Sequence, residues 1–121
     1  MQGIEGVNLF SWMTHEGGIG NVARQIAGAL LDAGVPLRVF SLDDAVPAFL
    51  EPYRRTTART LDGRINLFIF PFSSQRRWIR EFARDARARG QVNALMGFWE
   101  LARLTPQQAE HVADADVFLA A

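Results

Sequence analysis

Short β-branched and aromatic runs alternate with longer stretches whose apolar residues fall three and four apart, and the alternation repeats every 25 to 30 residues. Val7-Asn8-Leu9-Phe10-Ser11-Trp12 has the character of a first strand. From there Ile19, Val22, Ala23, Ile26, Ala27, Leu30 and Leu31 lie on one face of a helix, and Gly34 stands where a left-handed residue would end it. Pro36 opens a second strand, Leu37-Arg38-Val39-Phe40-Ser41, which runs out at Asp43-Asp44. Residues 45–63, with Pro47, Pro52 and a Thr/Arg run, predict a loop holding one short helix. Ile65-Asn66-Leu67-Phe68-Ile69-Phe70 is nearly continuous in apolar residues, as expected of a strand covered on both faces.

Pro71 stops that strand, and Ser74 is placed to cap a helix running to about Arg89, with Trp78, Ile79, Phe82, Ala83 and Ala86 on its inner face. Gly90 terminates it, and Gln91 to Met96 forms a fourth strand. Thr105-Pro106-Gln107-Gln108 has a Thr at N-cap, a Pro at N1 and a Gln at N3, which predicts a further helix start. Val117-Phe118-Leu119 reads as a fifth strand. Strands separated by helices pair through crossovers, so the expected fold is α/β: a Rossmann-like, doubly wound, mainly parallel sheet of about five strands in one domain over residues 1–121.

Composition narrows the function. At 49% hydrophobic residues the chain can bury a core, and with no cysteine it has no disulfide and no thiolate metal site. No His/Asp/Glu cluster has metal-ligand spacing, so no metal is predicted. No basic start leads into a long apolar run, and no apolar stretch approaches the roughly 20 residues of a membrane helix, so a cytoplasmic location is expected. Net charge is zero but uneven: residues 54–89 carry ten Arg against three acids. Arg76, Arg77, Arg80, Arg84, Arg87 and Arg89 ride one helix, where Arg77 with Glu81 and Asp85 with Arg89 are i,i+4 pairs. Most such runs are solvated helix faces. The functional reading is peripheral contact with an anionic inner membrane face through Arg76, Arg80, Arg84 and Arg87. Nucleic acid is not expected, because the stripe lacks interleaved exposed aromatics and the whole chain is neutral.

In a parallel sheet of this kind ligands bind beyond the carboxyl ends of the strands. Three loops lie there, after the first, second and fourth strands, the second of them holding Asp43-Asp44. Thr14-His15-Glu16-Gly17-Gly18-Ile19-Gly20 leads into the first helix, whose free N–H groups and dipole favour an anion such as a phosphate. The competing reading is a glycine turn that merely lets strand and helix pack. The third loop, Gly97-Phe98-Trp99-Glu100-Leu101, sets an aromatic beside a carboxylate, a sugar-binding pair unless both aromatics are core. His15 is a candidate base or orienting group for an acceptor hydroxyl, against the plainer reading of a surface residue; His111, inside a predicted helix, is structural. Gly18-Ile19-Gly20-Asn21-Val22-Ala23 also satisfies the dinucleotide fingerprint, with Asp43 or Asp44 then available to a ribose. Five residues intervene between strand and fingerprint, which argues for a different use of the loop.

Two segments resemble bacterial retaining glycosyltransferases of the group-1 type, which have the GT-B fold. Gly6-Val7-Asn8-Leu9 through Gly17-Gly18-Ile19-Gly20 to Ala33-Gly34-Val35-Pro36 is similar to that family's opening strand, glycine loop and first helix. Asn93 to Leu101, continuing to Asp114-Ala115-Asp116-Val117, is similar to its W-E-L segment, with Gly97, Ala102 and Leu95-Met96 departing from the usual pattern. The resemblance implies the acceptor-side, N-terminal half of an enzyme that transfers a sugar from a nucleotide-sugar to an acceptor hydroxyl with retention, in cell-surface polysaccharide synthesis. It places Gly17, Gly18 and Gly20 by the donor diphosphate and Trp99 and Glu100 around a sugar or lipid-linked acceptor; His15, read from its loop, joins the acceptor side, and His15 and Glu100 are the candidate catalytic groups. No cofactor beyond the nucleotide-sugar substrate is implied. The family's donor-binding C-terminal domain has no counterpart here, so this chain is expected to be a fragment inactive alone. Two alternatives remain open: a dinucleotide-binding domain of an oxidoreductase, and a non-catalytic α/β module that associates through a sheet edge.

Overall fold

A computed structural model describes residues 6–14, 16–57, 61–69, 77–97 and 116–120. Its elements are β1 (Val7–Ser11), α1 (Gly18–Asp32), β2 (Leu37–Ser41), a short 3-10 helix (Ala48–Tyr53), β3 (Ile65–Ile69), α2 (Arg77–Ala88), β4 (Val92–Gly97) and β5 (Val117–Ala120). The strands lie in the order β2-β1-β3-β4-β5, and every neighbouring pair is parallel. Beyond β2, Arg54 makes one parallel bridge to Val39, with the Arg55 amide donating to the Val39 carbonyl at 2.8 Å. The chain thus works outward from β1 through β2 to this bridge. It then returns to lay β3 on the other side of β1, so the strand order reverses between β1 and β3.

Period-2 alternation decides which helix each strand residue meets. Val7, Leu9, Leu37, Val39 and Ile69 pack with Ala23 and Ala27 of α1 on one face. Phe10, Phe68 and Leu95 pack with Phe82, Ala83 and Ala86 of α2 on the other. The Phe10 ring stacks on Phe68 at 4.6 Å and meets Phe82 at 5.3 Å. The sheet is therefore covered by a helix on each face, an α/β domain with a parallel sheet as expected.

Both helices end in the same way. Gly34, at φ +77°, donates to the Leu31 carbonyl while Val35 donates to Leu30; Gly90, at φ +85°, donates to Arg87 while Gln91 donates to Ala86. Each pair of bonds is a Schellman motif, which satisfies carbonyls that the helix itself leaves open. The predicted Asp85–Arg89 pair is not formed. Arg89 instead lies over the Phe82 ring, 5.5 Å from its centroid, and donates to Gln91 at 3.1 Å. An exposed i,i+4 ion pair contributes only about 0.3–0.5 kcal/mol, no more than a cation–π contact on an aromatic face. The Arg77 side chain, Ser74 and the predicted 105–108 helix start lie outside what is described.

A polar row crosses the α2 face at the amino end of the sheet. Asn8, Asn66 and Asn93 are adjacent in register and buried. Asn8 donates to the Asn66 side-chain carbonyl at 2.8 Å, Asn66 to Asn93 at 3.1 Å, and Asn93 to the Ala83 carbonyl of α2 at 2.7 Å. Asn8 also accepts from the Gly63 amide at 2.9 Å. Buried amides this well partnered cost little and set the register of β1, β3 and β4, because slipping any strand by one residue would strand them against apolar neighbours.

Candidate functional site

The strand order reverses between β1 and β3, and sheets of this kind bind ligands in the crevice beyond the carboxyl ends of the strands at such a point. The two ends are joined there by the Ser11 hydroxyl, which donates to the Ile69 carbonyl at 2.6 Å. α1 starts beside it, and earlier in the sequence than its apolar period suggests. Gly17 is the N-cap, extended at φ −77° and ψ −178°, and Gly18 and Gly20 belong to the first turn of the helix instead of to a loop.

The glycines then separate by role. Gly20 is buried in line with Ala23 and Ala27, a stripe of small residues that lets α1 sit close on the sheet. Gly18 is exposed, its φ lies outside the left-handed region, and a Cβ built on it meets no heavy atom within 4 Å. Neither packing nor backbone conformation calls for glycine at 18. No side chain caps this helix end and no acidic residue stands in its first turn, which leaves the positive end of the helix dipole uncompensated within that turn.

The segment between β1 and α1 is pinned from three sides. From β2, the Leu42 amide donates to the Ser11 carbonyl at 2.8 Å. From α1, Arg24 donates to the Met13 carbonyl at 3.1 Å. From the turn after β2, the Asp43 carboxylate accepts the Thr14 amide at 3.0 Å and the Thr14 hydroxyl at 2.8 Å, and its other oxygen accepts the Ser41 hydroxyl. Burial pushes the Asp43 carboxyl up, but the hydrogen bonds from Ser41 and Thr14 outweigh it and hold the group below the usual 3.8. Asp44, at φ +60°, points elsewhere, its carbonyl accepting Arg54 at 2.6 Å.

Of the residues expected at the site, Gly17 and Gly18 stand at the start of α1, beyond the carboxyl end of β1, and Gly20 is on the buried face of the helix. His15, Trp99 and Glu100 lie outside the described residues. So does Arg76, and the side chain of Arg80; Arg84 and Arg87 are exposed on α2, with Arg87 paired to Asp116 at 3.1 Å. Thr14 belongs to the first candidate loop; Ser41 and Met13, not expected at the site, are buried beneath it, joined by the Met13 amide donating to the Ser41 hydroxyl. The signal that would have found them is the polar residue at the end of each of the first two strands, Ser11 and Ser41, in register across the pair. Among the described residues no helix is long and apolar enough to cross a membrane, and no three His, Cys, Asp or Glu residues gather as a metal cluster. No protein-family model, curated protein or solved structure matches the chain.

Proposed function

We propose that this chain is the acceptor-side, Rossmann-like domain of a retaining glycosyltransferase, with the turn at Gly17 and Gly18 receiving the diphosphate of a nucleotide-sugar. The observation that carries the reading is the open space over Gly18. A glycine that neither packing nor backbone geometry requires is explained by a ligand whose oxygens come within hydrogen-bond distance of the backbone. An uncapped helix N-terminus beside it would stabilise charge developing on the departing nucleotide. In this reading a second domain holds the base and ribose of the donor. Trp99, Glu100 and His15 serve the acceptor hydroxyl, and the Arg side of α2 approaches anionic lipid on the inner membrane face, from the cytoplasm.

The dinucleotide reading keeps one observation in its favour. With the Arg54 bridge counted as a strand, the order becomes that of a dinucleotide-binding sheet. Against it, Asp43, one of the two carboxylates that could take the ribose, is already committed to Thr14 and Ser41. The two readings separate in a titration of the ¹⁵N-labelled chain with UDP, GDP, UDP-sugars and NAD(H), each to millimolar concentration so that weak binding registers. The glycosyltransferase reading expects shifts centred on Gly17 to Gly20 with the nucleoside diphosphates. Shifts with NAD(H) alone, or none in that turn with any of them, would overturn it.

A further inference from the structure

The Asp43 carboxylate does something that neither reading of the glycine turn requires. Both of its oxygens are engaged within the protein: one by the Thr14 amide and hydroxyl, the other by the Ser41 hydroxyl. Ser41 in turn accepts the Met13 amide at 3.2 Å. Two consecutive amides after β1 are thus fastened to the end of β2, Thr14 directly and Met13 through Ser41. Only residues 15 and 16 separate them from Gly17, the N-cap of α1.

We propose that Asp43 is a positioning residue, an ionised clasp that fastens Thr14 to the end of β2 and so sets where the Gly17-Gly18 turn stands over the crevice, and that it is not a contact to a bound ribose. A carboxylate suits this task because it accepts several hydrogen bonds at once, each strengthened by its charge. The charged and titratable groups on the elements around it are His15 and Glu16 on the loop, Asp44 beside it, Arg24 and Asp32 on α1, Arg38 on β2 and Arg54 after the 3-10 helix. Arg24 and Arg54 donate to the Met13 and Asp44 carbonyls, so each braces backbone next to the clasp, and Arg38 pairs with Asp62. Protonating Asp43 removes charge from all three of its bonds together, and the loop loosens while the sheet beneath it, held by backbone ladders, stays. The clasp forms between residues of the chain itself, whether or not the turn takes a sugar nucleotide.

The test is the amide resonance and hydrogen-exchange protection of Thr14 in the ligand-free chain. In the wild type the Thr14 amide shift should follow one titration step with a midpoint below the usual carboxyl value, and that step should vanish in Asp43→Asn. Asp43→Ala should cut Thr14 protection roughly tenfold or more, with the Leu9 and Phe68 amides of the core unchanged. Thr14→Ser, which keeps both bonds, should retain the titration and the protection. A Thr14 shift that ignores the carboxylate, or protection unaltered in Asp43→Ala, would overturn the clasp. Loss of the Thr14 bond on adding NAD(H), with shifts at the Asp43 side chain, would overturn it in favour of a ribose contact. Should Asp43→Ala loosen the whole domain, the wild-type titration decides alone.

Discussion

Consider replacing Gly18 by alanine. In the folded chain the new methyl meets no heavy atom within 4 Å, and Gly18 opens α1 with ordinary helical backbone, so no steric cost arises. In the unfolded chain alanine has fewer conformations to lose, which stabilises the protein by about 0.4–1 kcal/mol. At an unfolding entropy of about 2.1 cal/mol/K per residue, the 121 residues imply a rise in Tm of about 2–4 °C. Binding should move the other way. A phosphate oxygen held by the first-turn N–H groups leaves no room for a methyl on the same backbone. Losing one or two charge-assisted hydrogen bonds, at about 1.5–3 kcal/mol each, weakens nucleoside-diphosphate binding by at least about tenfold. Thermal melts and NMR titration with UDP on the wild type, Gly18→Ala and Gly18→Val give both numbers. A fall in Tm on Gly18→Ala would refute the claim that the site is sterically open. A rise in Tm with UDP affinity intact would refute the claim that the glycine serves a ligand.

Other expectations follow from the packing. Asn66→Ala removes the centre of the amide row and leaves the Asn93 carbonyl without its donor, at a cost of about 2–4 kcal/mol in denaturant unfolding. Gly63→Ala puts a Cβ 2.7 Å from the Asn8 side-chain oxygen, which the Gly63 amide holds in place, and should cost about 1–3 kcal/mol in the same assay. Because the Asp43 carboxyl lies below its ordinary 3.8 when folded, the stability it contributes is present above about pH 4 and lost as pH falls through the lowered value. Asp43→Asn should therefore flatten that part of an acid unfolding profile. On α2, Arg80→Glu with Arg84→Glu should lower partitioning onto phosphatidylserine vesicles severalfold per charge, with no change on neutral vesicles, if this side meets a membrane.

The rhythm of strands and helices was legible in the sequence because period and chain stops are local properties. The apolar spacing from Ile19, the glycines at 34 and 90 and the prolines at 36 and 71 each act within a few residues. The alternation of elements also implied parallel pairing, since a helix between two strands brings the second back in the same direction. Even the amide row left a trace, for Val7-Asn8-Leu9, Ile65-Asn66-Leu67 and Val92-Asn93-Ala94 share one pattern. What that pattern means needs the register of three strands more than 20 residues apart, which only the assembled sheet supplies.

The same holds for the site. Spacing alone made Gly18 and Gly20 equivalent, and the rotation of α1 on the sheet turned one toward open space and buried the other. A carboxylate after β2 reads from the sequence as a free ligand for a ribose. Its commitment to Thr14, 29 residues away, follows from β1 and β2 lying side by side, so that the loops leaving them meet. Arg89 chose the Phe82 ring over Asp85 for a like reason: helical spacing decides which side chains are within reach, and tertiary burial of the ring decides which contact is worth more.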